Sequence, residues 1–249
     1  MTAPISRRTA LRRAAFIAAG TAAGTQLLAT PGYAASGTPD PSSARKALER
    51  ARKRNERVLT GTLSKNGWEK EKLADDRGHI YTRPVPGTPV DIQVRMGDVE
   101  TVLVHVIRRF HYEIDELRRG DVIGWKSPNA VRKSLPESNQ ASGTAVQIRP
   151  GHYPAGTRGG FFLNQQLVIR DILAQLGGVV RWGGDDRRPD ESLFYIDVPP
   201  GSERLVETAD MIRGWTKTPG EGAGAPVDVR DPQRRRAAAT LERRQKTEA

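Results

Sequence analysis

Two segments in the middle of the chain carry large hydrophobic residues at helical spacing. In the segment 99–117 the large hydrophobic side chains fall on one helical face and the charged ones on the others. The segment 162–176 repeats this pattern just before Gly177 and Gly178. Glycine directly after a periodic apolar run is typical of a helix end. The pattern therefore predicts two helices that each bury one face, and residues 206–215 predict a third, closing helix.

Three short runs rich in β-branched and aromatic residues predict strands. They cover residues 144–148, 178–182 and 193–198, and Pro199 and Pro200 end the last of them. Strands and helices alternate without the regularity of βαβ units. The sequence therefore predicts an α+β fold, with a small antiparallel sheet flanked by helices, over residues 65–215.

Both ends of the chain lack a broad hydrophobic stripe. Residues 36–64 begin with a Gly, Pro and Ser-rich spacer and continue into a stretch, 44–58, with seven basic residues and few large apolar ones. This stretch predicts an exposed basic helix, capped by Ser42 or Ser43, that serves either solvation or contact with a polyanion. Residues 216–249 predict a linker and a charged tail outside the core.

The first 35 residues have the order of an export signal. Arg7 and Arg8 lie in a basic segment, an uncharged stretch rich in Ala and Gly follows over residues 14–29, and small residues surround Ala35. This order predicts a twin-arginine signal peptide, residues 1–35, and a mature protein that is secreted or associated with the cell wall. On this interpretation the chain meets the membrane only during export. A basic cytosolic tail and an uncleaved anchor are the alternatives.

Composition and charge narrow the chemistry. With 249 residues and 37% hydrophobic residues, one domain with tails is expected. Because there is no cysteine, disulfides, a cysteine nucleophile and a thiolate metal site are excluded. The net charge of +11 attracts polyanions. Nucleic-acid binding fits this charge, but the chain has no recognition motif and export argues against it, so no nucleic-acid partner is expected.

One segment carries a resemblance to a known family. Residues 138–147, SNQASGTAVQ, resemble the S-x-H-x-x-G-x-A-x-D segment of the zinc D-alanyl-D-alanine carboxypeptidase and L-alanyl-D-glutamate peptidase family, which shares its fold with the Hedgehog signalling domain. The resemblance extends over about residues 99–198 and is most specific over 179–185. It implies a Hedgehog/DD-peptidase-like fold for residues 65–215.

The resemblance also implies where zinc would bind in an active member. In the family, two histidines and an aspartate hold zinc and leave a position open for an activated water. Here Gln140, Gln147 and Leu193 occupy those positions, while Asp190 stands at the position of the general base. Two neutral amides and an aliphatic side chain are not a zinc-binding set. We therefore expect no cofactor and no catalytic residue.

The resemblance thus implies a cleft at the position of the family's active site, without the metal that catalysis requires. Its expected lining residues are Ser138, Gln140, Gln147, Asp190, Leu193, Arg158 and Trp182. The expected partner is peptidoglycan or an anionic cell-wall polymer, and the expected function is binding rather than cleavage. Residues Ser138, Gly143 and Ala145 also have a plain structural interpretation, as the turn that leads into a strand.

Three alternatives stay open at this point. The protein is an active metallopeptidase if unconventional ligands hold a metal. A relocated metal site would be built from His79, His105, His111 and His152 with nearby carboxylates, but these histidines lack the spacing of known metal motifs. For His105 and His111 taken alone, hydrogen-bonded structural roles are expected. The basic and aromatic run 108–112 either binds an anionic ligand or anchors its helix to the sheet.

Overall fold

A computed structural model describes residues 41–247, apart from the side chains of Pro41 and Arg54. Residues 45–247 lie within one compact unit, which contains the sheets and the core. The predicted signal peptide and most of the spacer lie outside the described residues. The predicted basic helix is confirmed as α1, Pro41–Val58, which is largely exposed; it begins at Pro41, so Ser42 and Ser43 lie in its first turn.

Four further α-helices follow in the described part of the chain. They are α2 (Asp98–Glu113), α3 (Leu163–Gln175), α4 (Glu203–Lys217) and α5 (Pro232–Thr247). Short 3₁₀ turns occupy Pro128–Ala130, Pro136–Ser142 and Gly183–Asp185. The three helices predicted for the middle of the chain are confirmed, although α2 ends four residues before Leu117.

Every strand pair in the described residues is antiparallel. The strands are β1 (Leu59–Leu63), β2 (Glu69–Glu71), β3 (Ile80–Pro84), β4 (Asp91–Arg95), β5 (Val122–Ile123), β6 (Ala145–Ile148), β7 (Val180–Trp182) and β8 (Leu193–Ile196). Strands β1 and β2 form one two-stranded sheet, β3 and β4 form another, and the third sheet has the order β5-β6-β8-β7. The predicted α+β class with small antiparallel sheets and flanking helices is confirmed.

The central sheet has two different faces. Val146, Phe194 and Ile196 point into the main core, together with the apolar stripe of α2. Because successive side chains of a strand point to opposite faces, the alternate residues of β6 and β8 form a separate small cluster on the other face. That second face carries the candidate site.

The start of α3 differs from the sequence prediction. Leu163 is 81% exposed and Phe162 is 75% exposed, so the predicted apolar face does not begin with them. The buried positions of this helix are later, among them Ile169, Ile172 and Leu173. The first turn of α3 extends past the core, and hydrophobicity alone cannot show where the core ends.

The C-terminal helix corrects the expectation that residues 216–249 lie outside the core. Ala238 and Leu241 of α5 are buried, and Leu241 belongs to the main hydrophobic cluster. Gln245 is also buried, and its Nε2 donates to the Val180 carbonyl at 3.0 Å. These residues recur on one face at helical spacing, but the stripe is too narrow to stand out among so many charges.

A buried ion-pair cluster connects α2, α3 and α5. Arg109, which is 1% exposed, pairs with Glu113 and donates from Nη1 to Asp171 Oδ2 at 2.9 Å. Arg234 donates to both oxygens of Asp171 at 2.7 Å. Arg109 thus anchors α2 to neighbouring helices and has a structural role instead of binding an anionic ligand. The anchor expected from the sequence is to the sheet, whereas the contacts of Arg109 are with helices.

The burial of Leu241 generates a stability prediction. Leu241→Ala should lower the free energy of unfolding by about 2–3 kcal/mol, because it removes buried methyl groups and leaves a cavity under α5. Leu163→Ala, the same change at an exposed position, should change it by less than about 0.5 kcal/mol. Urea denaturation of both variants measures the difference. Equal effects would mean that α5 does not belong to the cooperative core.

Buried His105 makes stability depend on pH. Burial lowers the pKa of His105 to about 4, although a hydrogen bond between Nε2 and Gln175 Oε1 at 3.1 Å opposes the shift. In the unfolded chain a histidine has a pKa of about 6.5. As the pH falls from about 6.5 to about 4, the unfolded state therefore takes up a proton that the native state does not.

The protein should consequently lose stability over this pH range, by up to about 3 kcal/mol from this one group. In His105→Gln the position does not titrate, so its free energy of unfolding should fall less steeply between these pH values. Urea denaturation at several pH values gives both curves, and parallel curves for the two proteins would contradict the assignment. Groups that titrate elsewhere cancel in the difference.

Candidate binding cleft

The cleft is built on the second face of the central sheet. Gln147 of β6 lies directly opposite Leu193 of β8, and Ala145 lies opposite Tyr195. On the other side of β6, Gln147 pairs with Ile123 of β5. The register of three neighbouring strands thus brings together residues that are far apart in the sequence.

A chain of hydrogen bonds fixes the Gln147 side chain. Lys126 Nζ donates to Gln147 Oε1 at 2.5 Å, and Gln147 Nε2 donates to Asp190 Oδ2 at 2.8 Å. The second carboxylate oxygen of Asp190 accepts from the Ser192 amide at 3.1 Å and from its hydroxyl at 2.6 Å. Gln147 and Asp190 are both buried. The Lys126–Gln147–Asp190 chain therefore holds an ammonium at one end and a carboxylate at the other.

Gln140 lies beside the same strands. It is fully buried in the 3₁₀ turn Pro136–Ser142, and its Nε2 donates to the carbonyls of Ile123 at 3.2 Å and Gly124 at 2.9 Å. Its Oε1 has no hydrogen-bond partner within the described part of the chain. The turn ends at Gly143, whose φ of +68° favours glycine, and a Cβ there would come within 2.8 Å of the Arg95 amide nitrogen.

A small cavity of about 110 Å³ opens beside Leu193 and Asp190. Its charged lining residues are Arg132, Glu137, Asp186, Arg188 and Asp190. The volume is a few times the roughly 30 Å³ that one water molecule occupies in the liquid. The cavity therefore has room for one amino-acid side chain or the end of a peptide.

The charges around the cavity are partly neutralised within the protein. Arg132 donates from Nε and Nη2 to Glu137 at 2.8 Å, and this hydrogen bonding lowers the pKa of Glu137. Burial raises the pKa of Asp186, although its oxygens accept from the Tyr195 hydroxyl at 3.0 and 3.2 Å. Arg188 is exposed and makes no hydrogen bond or ion pair with another described residue. It is therefore available to an anionic group of a ligand.

Several predicted site residues come together here. Asp190 and Leu193 line the cavity, and Gln147 contacts Asp190. Gln140 lies next to β5, while Ser138 is fully buried and its Oγ accepts from the Lys65 amide at 3.0 Å. Ser138 therefore shapes the turn and does not line the cleft.

Two further predicted lining residues, Trp182 and Arg158, are corrected. Trp182 lies opposite Phe194 in the core, and its Nε1 donates to the Glu191 carbonyl at 2.7 Å. Because Phe194 follows Leu193 directly, it and its partner must face away from the cleft. Arg158 does not line the cavity either, although it donates to the carbonyl of Asp186, which does line it, at 2.8 Å.

The sequence interpretation missed Lys126, Arg132, Glu137, Asp186 and Arg188. Lys126 reaches Gln147 because β5 pairs with β6, and no motif in the sequence indicates that pairing. The adjacent arginines before Pro189 were a visible signal of exposed charge near Asp190. The sequence alone does not tell which of these two arginines lines the cavity.

The residues at the implied zinc positions do not fit zinc. The Gln140 amide directs its N–H groups at carbonyls, the Gln147 oxygen accepts from an ammonium, and Leu193 offers no donor atom. A positive charge next to the site also disfavours a divalent cation.

The histidines have other contacts. His105 bonds Gln175, His111 Nδ1 accepts from the Leu117 amide at 2.8 Å, and His79 Nδ1 lies 3.0 Å from Glu71 Oε1. Within residues 41–247, no three His, Asp or Glu side chains are grouped in a way that would hold a metal ion.

Comparison of the chain with family models, with curated proteins and with solved structures finds no match. Over residues 41–247, none of the helices combines the length and apolarity needed to cross a bilayer. The fold and site thus define an α+β protein with a small charged cleft on one face of an antiparallel sheet.

Proposed function

We propose that this chain is an exported relative of the zinc peptidoglycan peptidases that has kept the cleft, lost the metal and binds cell-wall peptide without cutting it. One observation carries the proposal. Of the positions that the resemblance assigns to the zinc ligands, Gln147 lies opposite Leu193 and pairs on its other side with Ile123 of β5, and Gln140 donates to the carbonyl of that same Ile123. This grouping is what a Hedgehog/DD-peptidase-like fold requires, so it supports the family assignment.

The chemistry of the cleft favours binding over hydrolysis. Both oxygens of Asp190 accept hydrogen bonds from Ser192 or Gln147, and the neighbouring residues supply no metal-bound water for this carboxylate to assist. The exposed guanidinium of Arg188 suits a peptide carboxylate, since arginine pairs with carboxylates in a bidentate geometry.

The charge of the whole chain adds a second, less specific attraction. The net charge of +11 favours anionic polymers of the wall, and this part of the affinity should weaken as salt screens it. Twin-arginine export would bring the protein to such polymers. Cleft binding and surface charge can be separated by experiment, because they depend on different residues.

The first experiment uses the adjacent arginines. Arg188 lines the cavity, whereas its exposed neighbour Arg187 does not, so the two variants differ only in position. Arg188→Gln should weaken co-sedimentation with purified peptidoglycan at least about tenfold at moderate salt, because it removes a charged hydrogen bond to the peptide. Arg187→Gln should weaken it by less than about twofold, as expected for an exposed charge.

Three results would oppose the proposal. The first is that the full chain is not retained on peptidoglycan at low salt. The second is that the Arg188 and Arg187 variants lose the same affinity. Alternatively, the purified protein would contain stoichiometric zinc and release D-alanine in a chelator-sensitive manner, which is the behaviour of an active metallopeptidase.

A second experiment tests the geometry of the replaced ligands. The combined changes Gln140→His, Gln147→Asp and Leu193→His, made together with Lys126→Met, should create a zinc site that the natural protein lacks. The same triple change with Lys126 retained should bind zinc at least about tenfold more weakly, since an ammonium next to the new carboxylate competes with the cation.

Competition with a chromophoric chelator measures both affinities, and unfolding curves check that the variants remain folded. If the fourfold variant binds no more zinc than the natural protein, the three positions do not converge on one point. The family assignment would then lose its main support.

A further inference from the structure

A second cavity, separate from the cleft, is lined by lysines. It has a volume of about 350 Å³ and lies between the β1–β2 hairpin and residues 127–133. Its wall includes Lys70, Lys72 and Lys133 and the hydroxyl groups of Thr60, Thr62 and Ser127. None of the described residues that line it is acidic. We call this cavity the Lys70 pocket.

Lys70 is the unusual residue of this pocket. It is only 2% exposed, yet its ammonium makes no hydrogen bond or ion pair with another described residue. The carbon chain of Lys70 is covered while its Nζ keeps contact with solvent, so the ammonium lies at the open side of the pocket. Because no described carboxylate neutralises it, this cation can pair with an anion from outside the chain.

The neighbouring carboxylates are engaged elsewhere. Lys70 is the middle residue of β2, so the side chains of Glu69 and Glu71 point to the opposite face of the strand. Glu69 Oε1 accepts from the Gly61 amide at 3.3 Å, and Glu71 accepts from the backbone of His79 and from Arg95. Neither carboxylate neutralises Lys70.

The rest of the wall has matching chemistry. Lys72 Nζ donates to the Glu56 carbonyl at 2.6 Å, which uses one of its three N–H groups. Lys133 is exposed and has no partner in residues 41–247. The Thr60 and Thr62 hydroxyls lie 2.8 Å apart and can offer a donor to a bound oxygen. Several positive charges and hydroxyl donors, without a carboxylate, suit an oxyanion that carries more than one charge.

We propose that the Lys70 pocket binds a phosphate group, either as free phosphate or as part of a phosphodiester. Free phosphate carries between one and two negative charges at neutral pH, and a phosphodiester chain carries one at each linkage. Both offer several strong acceptor oxygens, which suit three ammonium groups and the neighbouring hydroxyl donors. The cavity exceeds the volume of one water molecule by roughly tenfold, so it also has room for part of the group that carries the phosphate.

Isothermal titration of the full chain with inorganic phosphate and with a short glycerol phosphodiester oligomer tests the proposal. The natural protein should show saturable binding at a single site. Lys70→Met keeps the length of the buried side chain without its charge and should weaken binding at least about tenfold. Lys217→Met removes one exposed charge from α4, outside the pocket, and should change the affinity by less than about twofold.

Lys133→Met is a second test in case Lys70→Met impairs folding, because Lys133 is exposed and its replacement leaves the core intact. This variant should weaken binding more than Lys217→Met does. Bound phosphate should also protect Lys70 of the natural protein from acylating reagents. Tighter binding of the oligomer assigns the pocket to a phosphodiester, and stronger binding of free phosphate assigns it to the ion.

If the Lys70, Lys133 and Lys217 variants all lose the same affinity for the probes, the binding is general electrostatic attraction and the proposal is wrong. Absence of saturable binding of either probe would do the same. The outcome does not depend on the cleft, because retention of Lys70→Met on peptidoglycan peptide at high salt should equal that of the natural protein. The two proposals can therefore fail separately.

Discussion

The pairing of β6 with β8 is the constraint on which both the core and the cleft depend. Their register places Val146 and Phe194 in the main core and Gln147 and Leu193 on the opposite face. A slip of one residue would exchange the two faces, so burial of the core residues selects the register. The cleft therefore inherits its geometry from hydrophobic packing and needs no strong interaction of its own to form.

The positively charged side chains of this protein have two different roles, which the net charge does not distinguish. Arg109 is buried and paired with carboxylates, and Arg234 adds a second cation to Asp171. Such residues stabilise the contacts between helices and contribute little to attraction at a distance. Attraction depends instead on charges without an internal partner, of which Lys70 and Arg188 lie in cavities. The positions of these groups, more than the sum of charges, determine what the surface can bind.

The sequence was informative where burial is one-sided and continuous. The apolar periods of α2, α3 and α4 and the β-branched runs of β6, β7 and β8 predicted these elements, because each buries a continuous face. Strands β1 to β5 were not predicted. Strands β1 and β2 contain few apolar residues and β5 has only two residues, whereas the alternation of buried Ile92 and Val94 with polar residues in β4 was a visible strand signal. Of the residues predicted for the cleft, Asp190 and Leu193 line the cavity. Trp182 was misplaced because a motif does not tell which face of a strand a residue occupies, and Lys126 was missed because its contact depends on a long-range strand pairing.

Lys126 also bears on why a cleft of this kind would bind without cutting. On the proposed family assignment, its ammonium contacts the side chain at the position where a ligand would hold zinc. A zinc ion lowers the pKa of a bound water to about 7 and so creates a nucleophile. An ammonium can donate hydrogen bonds to a carbonyl or carboxylate oxygen, but it has no vacant orbital to coordinate water. Replacing the metal by a fixed side-chain cation would thus preserve electrostatic attraction for a peptide oxygen while removing the source of hydroxide.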